Sequence, residues 1–172
     1  IRRQRQLCIR DSYDVDANDP KKYKDKKEAI ADVAKLASAL RLTPSVIDSG
    51  GGYHTYFHLD EEVDKATWVE LATLKRDITT FLGMKIDRAV DTDSARVLRP
   101  VGTHNKKYGT PMPVKMLKQG KRYSVEHLRA TMLKFIEDND MILIVEQNRD
   151  GQMRSLIMAE GGIIPDKLVS IL

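Results

Sequence analysis

Two aspartates, Asp14 and Asp16, stand at i and i+2 in the alternating stretch "YDVDA". On a strand that spacing sends both carboxylates to one face, with α-carbons roughly 6 to 7 Å apart, close enough to share a hard divalent cation. Buried without a cation, one of the pair would have to keep its proton, because like charges in a low dielectric do not both ionise cheaply. The same residues also fit an exposed edge or turn, since "DANDP" continues as a loop. A third carboxylate comes from "DRAVDTDSARVLR", which holds Asp87, Asp91 and Asp93. Asp93 is the choice, because it directly precedes the presumed strand carrying Arg96 and Arg99; Asp87 and Asp91 lie further into the loop, as caps or turn residues. Three carboxylates from separated strands that converge on Mg²⁺ or Mn²⁺, with phosphates completing the coordination, make a site for two-metal phosphoryl or nucleotidyl transfer.

A second constellation is "DSGGGYHTYFHLD", Asp48 to Asp60. Consecutive glycines adopt conformations closed to other residues and let backbone amides approach an anion without side-chain obstruction. Gly51 and Gly52, with His54 emerging from the turn, are thereby candidates for contacting phosphate; the plain alternative is a flexible hairpin turn. A P-loop is excluded because no Gly-Lys-Ser/Thr follows, and a dinucleotide fingerprint because a strand rather than a helix follows. His58, two positions beyond Tyr56 on the same face, reads as structural. A third group, "RVLRPVGTHNKKYG", joins Arg96, Arg99, Lys106 and Lys107 to the turn residues Gly102, Thr103 and Asn105. Arginine's planar fork suits phosphate oxygens, and the turn residues would hold the lysines at a groove edge. A solvated basic loop is the competing description.

The elements that must position these groups follow from periodicity. Ile30, Val33, Leu36, Ala37 and Leu40 share one stripe of a helix over about 26–40, and Trp68, Leu71, Leu74, Ile78 and Phe81 predict a helix over 65–82 that stops at Gly83. Ser124 reads as the N-cap of a third helix running to about Glu137. "SVID" and "YHTYFHL" predict a strand hairpin through the glycines, with His54, Tyr56 and His58 on one face. Short strands are expected at Ala95–Arg99 and Val114–Leu117. The opening "IRRQRQLCIRDSY" carries charges where a buried strand should lie, so no element is assigned to it, and the N-terminal part of the domain is read as truncated or discontinuous. "MILIVEQ" fits a helix or a strand, and "QMRSLIMAE" and "PDKLVSIL" read as short helices. The organisation expected is one domain over 1–138 and a helical C-terminal tail element over 139–172.

At 172 residues, 41% hydrophobic and 31% charged, the chain has enough apolar surface for a core and enough charge for a wet exterior. No apolar run is long enough to span a bilayer, and no signal peptide is read. The single Cys8 excludes an internal disulfide framework and suits a reducing compartment. A net charge of +4 with a pI near 9.1 is a modest excess, gathered in "RRQR", "KKYKDKK", "HNKKYG" and "KQGKR". Such runs give weak support for a nucleic-acid partner.

Taken together, these segments resemble the archaeo-eukaryotic primase superfamily, in particular the primase-polymerase domains of phages and plasmids. That family's first motif is an apolar strand bearing Asp-x-Asp, matched by "YDVD"; its second is a Ser/Gly-rich turn ending in a strand histidine, matched by "SGGGYH"; its third is an acidic strand residue, for which "DSARVLRPVGTHNKKYG" supplies Asp93. The order holds from about Asp14 to Lys118, about three-fifths of the chain. The chain departs from the pattern at Arg10, Asp11 and Ser12, where the family has apolar residues leading into its first aspartate.

The resemblance implies an α+β fold with an RRM-like catalytic sheet, antiparallel or mixed, flanked by helices. It implies template-directed nucleotide addition in DNA replication, with Asp14, Asp16 and Asp93 holding two Mg²⁺ or Mn²⁺ ions. Ser49, Gly51, Gly52 and His54 would meet the incoming nucleotide's phosphates, aided by Arg99 and Lys106; Arg96, one alternation out of step with Arg99, faces the other side. The implied partners are a single-stranded DNA template and primer, dNTPs or NTPs, and a replicative helicase domain or protein. The implied location is the cytoplasm, that of a bacterial host for a phage or plasmid protein. A zinc segment found in some relatives is unsupported by one cysteine. Two other readings stand beside this one: a catalytically inactive primase-like module that binds nucleic acid or nucleotide, and a rolling-circle nickase. The nickase ranks low, because it needs two histidines at i and i+2 and His54 and His58 are four apart.

Overall fold

The computed structural model describes residues 4–10, 23–86, 98–107, 109–145 and 168–171. Its first element corrects the sequence reading: the charged opening forms a strand, β1 (Gln4–Arg10). It pairs antiparallel with a later strand, placing Leu7 opposite Phe57 and Ile9 opposite Thr55. The charges obscure a short period-2 pattern there, and the ladder, rather than composition, decides the conformation. The "YDVDA" strand expected just after it lies outside the described residues.

Helix α1 (Lys26–Ala39) starts at Asp25, whose carboxylate accepts from the amides of Lys27 and Glu28 at 2.8 Å each. That satisfies two of the donors every helix start leaves open. The predicted hairpin follows as β2 (Ser45–Asp48) and β3 (Tyr53–Val63), and then α2 (Lys65–Phe81), capped by Asp64. Beyond the next described residues come the short pair β4 (His104–Asn105) and β5 (Met112–Pro113), then β6 (Lys115–Lys118), β7 (Arg122–Tyr123) and α3 (Val125–Asp138). The three helices start and stop within two residues of the expected limits. Their apolar stripes and caps agree on those limits, which makes them readable.

The main sheet runs β1-β3-β2-β6, with β7 joining β3 in parallel beyond the end of β2. Strand alternation gives β3 two different faces. Phe57 and Leu59 enter a cluster with Leu36 of α1 and its C-cap Leu40, Leu71, Leu74 and Ile78 of α2, and Leu128 and Met132 of α3, each at most 2% exposed. Burial at that level is worth about 1.5–3 kcal/mol per large side chain, so this layer carries most of the fold's stability. Helix α3 is further fixed to α2 by Arg129, whose Nε and Nη2 donate to the two oxygens of Glu70 at 2.7 and 2.8 Å. On the opposite face Tyr56 and Ile47 meet Val114 and Leu98, so an arm, non-helical over residues 98–107 and 109–123, covers that side.

Two further expectations change. Leu98–Pro100 is not strand, and Ala95–Val97 lie outside the described residues. In the tail, β8 (Ile142–Val145) and β9 (Leu168–Ile171) pair in parallel, and β9 lies beside α2. "PDKLVSIL" therefore contributes a strand in place of the expected short helix. Short apolar runs do not distinguish the two by periodicity, and pairing with β8 settles it. No described helix is long and apolar enough to cross a membrane.

Candidate functional site

The glycine turn is built by its own polar groups. The Ser49 amide and hydroxyl both donate to the Gly52 carbonyl, at 2.9 and 3.0 Å, and the Gly50 amide donates to Asp48 Oδ1 at 2.8 Å. Asp48 is in turn gripped by Lys26, whose Nζ donates to both carboxylate oxygens at 2.8 and 2.9 Å. The first turn of α1 thus anchors the end of β2. Lys26 also lies 5.8 Å from the ring centre of Tyr53, the first residue after the turn. A turn that looks floppy in sequence is held at both ends.

Beyond the turn, His54, Tyr56 and His58 form a continuous row. His54 meets Tyr56 edge-on with centroids 6.4 Å apart, and Tyr56 stacks on His58 at 5.9 Å. His54 is only 1% exposed. Its register partners are Ile47 on β2 and Arg10 on β1. His58 Nε2 lies 2.8 Å from Ser45 Oγ, and the same oxygen accepts from the Gly120 amide at 2.8 Å. Burial, and then the charge of Arg122 beside it, hold the His58 imidazole below its ordinary value. The imidazole and the Ser45 hydroxyl share a hydrogen bond whose direction follows the tautomer, a positioning role consistent with the structural reading of this residue.

The arm is fastened to the hairpin at two seams. At the first, Asn105, 2% exposed, donates from Nδ2 to the Ser49 carbonyl at 2.9 Å, while its Oδ1 accepts from the Lys107 amide at 3.0 Å. Gly50 sits against the same place with φ +84°, and a Cβ there would fall 2.8 Å from Met112 Cβ and 3.1 Å from Asn105 Cβ. At the second, Gly120 lies so close to Thr43, Pro44 and Ser45 that a Cβ would fall 2.3 to 2.6 Å from their backbone atoms. The Thr103 hydroxyl closes onto the Pro100 carbonyl at 2.7 Å, and Val114 exchanges backbone bonds with Gly102 and Thr103. "GTHNKK" is thus a shaped turn, and Asn105 delivers Lys106 and Lys107 to the rim of the glycine turn.

Among the predicted site residues, the hairpin brings Ser49, Gly51, Gly52 and His54 together, all buried. Lys106 is exposed one residue beyond the Asn105 seam, and Arg99, partly exposed, follows Leu98 where that residue packs near Tyr56. Asp14, Asp16, Asp93 and Arg96, with Asp87 and Asp91, lie outside the described residues. Among the described residues no three His, Cys, Asp or Glu side chains gather closely enough to hold a metal. Sequence reasoning missed Lys26, Ser45 and Gly120, whose partners stand 22, 13 and 75 residues away, and no local pattern marks such contacts.

Compared with known proteins, the chain resembles the crystal structure of primase RepB′, with a TM-score of 0.53 at 15% sequence identity. The match covers 92% of this chain and 47% of that one, so the chain spans about half the length of its structural neighbour. No protein-family model and no curated protein matches it. The fold is therefore primase-like: α+β, with a mixed sheet flanked, among the described residues, by three helices.

Proposed function

We propose that this chain is the catalytic region of a template-directed nucleotidyl transferase acting in DNA replication, a DNA primase or polymerase. One observation carries the reading: within a primase-like fold, a glycine turn runs straight into a strand histidine whose register neighbour, Arg10, is the last residue of β1. The aspartates assigned to catalysis are near these elements in the sequence. Asp14 is four residues past Arg10, and Asp93 is five before Leu98, which packs near Tyr56.

In this reading Asp14, Asp16 and Asp93 are the ligands of two Mg²⁺ or Mn²⁺ ions, and three hard oxygen donors suit either ion. Bound there, the ions would lower the pKa of the attacking hydroxyl and neutralise charge on the leaving pyrophosphate. The primer's 3′-oxygen bonds to the α-phosphorus of the incoming nucleotide as the bond to pyrophosphate breaks. Ser49, Gly51 and Gly52 offer the triphosphate a small-residue turn, and His54 donates to a phosphate oxygen. Arg99 and Lys106 add charge from the arm. Gly50 itself packs against Asn105 and Met112.

The test is incubation of the full chain with single-stranded template, labelled nucleotides and Mn²⁺, with and without primer. Wild type should incorporate nucleotide, and Asp14→Ala with Asp16→Ala should abolish incorporation while the circular dichroism and melting profile stay those of the folded chain. Incorporation that survives in the double variant removes the metal assignment. A wild-type chain that binds template and incorporates nothing is the inactive binding module instead.

A further inference from the structure

From Leu98 to Tyr123 the sequence carries seven Lys and Arg and no Asp or Glu. The structure concentrates part of that charge on one exposed edge. β6 ends the sheet, paired with β2 alone among the described strands, and all four of its residues are exposed. The ladder slips there: Ile47 faces Met116, but the adjacent Val46 faces Lys118, so Leu117 is an extra, bulged residue. Met116 and Leu117 are 41% and 53% exposed, and they and Val101 are the large exposed apolar side chains of the described residues. Lys115 and Lys118 flank the pair, and Lys121 and Arg122 continue the charge past Gly120.

Lysines on an edge strand commonly serve to block strand-to-strand aggregation. That account covers Lys115 and Lys118. It does not explain why two large apolar side chains are left open between them, nor why the positive charge runs on through Lys121 and Arg122 with no carboxylate in the tract. Cations spaced along an extended path, with apolar surface interleaved, match a polymer that has a phosphate at every repeat and flat bases able to cover hydrocarbon. We propose that the β6 edge, from Lys115 to Arg122, is a track for single-stranded nucleic acid, with Lys115, Lys118 and Lys121 on phosphates and Met116 and Leu117 beneath bases. The inference rests on the nucleic-acid side of the proposed function and adds the surface that holds the strand.

The experiment measures binding of labelled oligothymidylate by the full chain, without nucleotide or metal, by fluorescence anisotropy over a range of salt. The variant Lys115→Glu, Lys118→Glu, Lys121→Glu keeps the edge charged, and so protected from aggregation, while reversing its attraction for phosphate. Affinity should fall at least about tenfold, and the slope of log affinity against log salt should flatten by about 2, at roughly 0.7 for each single-strand phosphate no longer neutralised. The control Lys27→Glu, Lys65→Glu changes exposed lysines elsewhere and should lose less than about threefold by the same screening argument. Equal losses in the two variants, an unchanged affinity in the first, or tighter binding of a blunt duplex than of the single strand would each overturn the track. Should the triple variant not fold, photocrosslinking of halogenated oligonucleotide to the wild-type chain decides: adducts within 115–122 support the track, and adducts confined elsewhere overturn it. The two proposals fail separately. A chain inert in extension that binds oligothymidylate through this edge keeps the track and loses the transferase, and an extending chain indifferent to the edge does the reverse.

Discussion

The hairpin forms the two central strands of the sheet, the arm crosses one face of it and joins its edge, and the two are built on opposite terms. In the hairpin every residue from Ser45 to Phe57 except Asp48 is buried, and the polar groups of the turn are tied down locally: Ser49 to Gly52, Gly50 to Asp48, and Asp48 to Lys26 of α1. The arm exposes most of its length and meets the hairpin through the short β6–β2 and β7–β3 ladders and a few packed points, chiefly the buried Val114 and Asn105 and the backbone at Gly120. A substitution in the first region disturbs packing whatever its chemistry. In the second the exposed side chains are released from structural duty, because a handful of contacts fixes the backbone that carries them. That division lets a basic surface vary while the turn beneath it stays fixed.

The severest way to break this arrangement is to fill the second seam. Gly120→Ala would set a methyl 2.3 Å from Ser45 N and 2.4 Å from Pro44 C, backbone atoms that have no rotamer to retreat into. The backbone must separate, which also breaks the Gly120 amide's bond to Ser45 Oγ and the Lys121 amide's bond to the Thr43 carbonyl. The expected loss is about 3 kcal/mol or more, read as a fall in melting temperature of about 6 to 12 °C for a chain of this size. A melting temperature within a degree or two of wild type would mean that the arm is not seated on Ser45 as described.

The first seam sharpens the comparison, because neighbouring residues there belong to different regimes. Asn105→Ala removes the donor to the Ser49 carbonyl and leaves that buried oxygen short of a partner, at a cost of about 1–3 kcal/mol. Lys106→Ala, one residue on and exposed, should stay within about 0.5 kcal/mol of wild type. Denaturant midpoints measure both. In the extension assay the proposed role predicts that Lys106→Ala raises the nucleotide KM with stability intact. An Asn105 variant as stable as wild type would remove the seam and, with it, the reason for Lys106 to stand at the turn.

What is legible in the sequence follows the same line. Helices and the hairpin are readable because each has a local period and a local punctuation: apolar stripes, Asp or Ser caps, a run of glycines. The placing of Ser49, Gly51, Gly52 and His54 at one spot follows from the hairpin alone. β1 is not readable, since Arg5 and Arg10 disguise a strand that its ladder with β3 stabilises, and the β8–β9 pairing joins residues 26 apart. The seams are the least legible. Asn105 looks like a turn residue and Gly120 like a loop filler, and only the fold reveals what each touches.

Helix ends give the finest test of this local legibility. Gly83 reads as a stop, and it adopts φ +72°, with its amide bonded to the Thr80 carbonyl and the Met84 amide to the Thr79 carbonyl, both at 2.9 Å. The other two helices end with the same pair of bonds through Arg41 at φ +52° and Asp140 at φ +51°, which no pattern announces. A left-handed backbone costs an ordinary residue about 1–2 kcal/mol, and glycine gives back about 0.5–1 through its freer unfolded chain. Arg41→Gly should therefore stabilise by about 0.5 kcal/mol on that balance, and Asp140→Gly by less, because aspartate tolerates this region better than most. The converse is Gly83→Ala. Nothing lies within 4 Å of the added Cβ, so its cost is backbone strain alone, and it should lose about as much as Arg41→Gly gains. If Arg41→Gly were destabilising while Gly83→Ala still lost stability, the exposed Arg41 side chain would be contributing something beyond its backbone, and the three helix ends would not be equivalent.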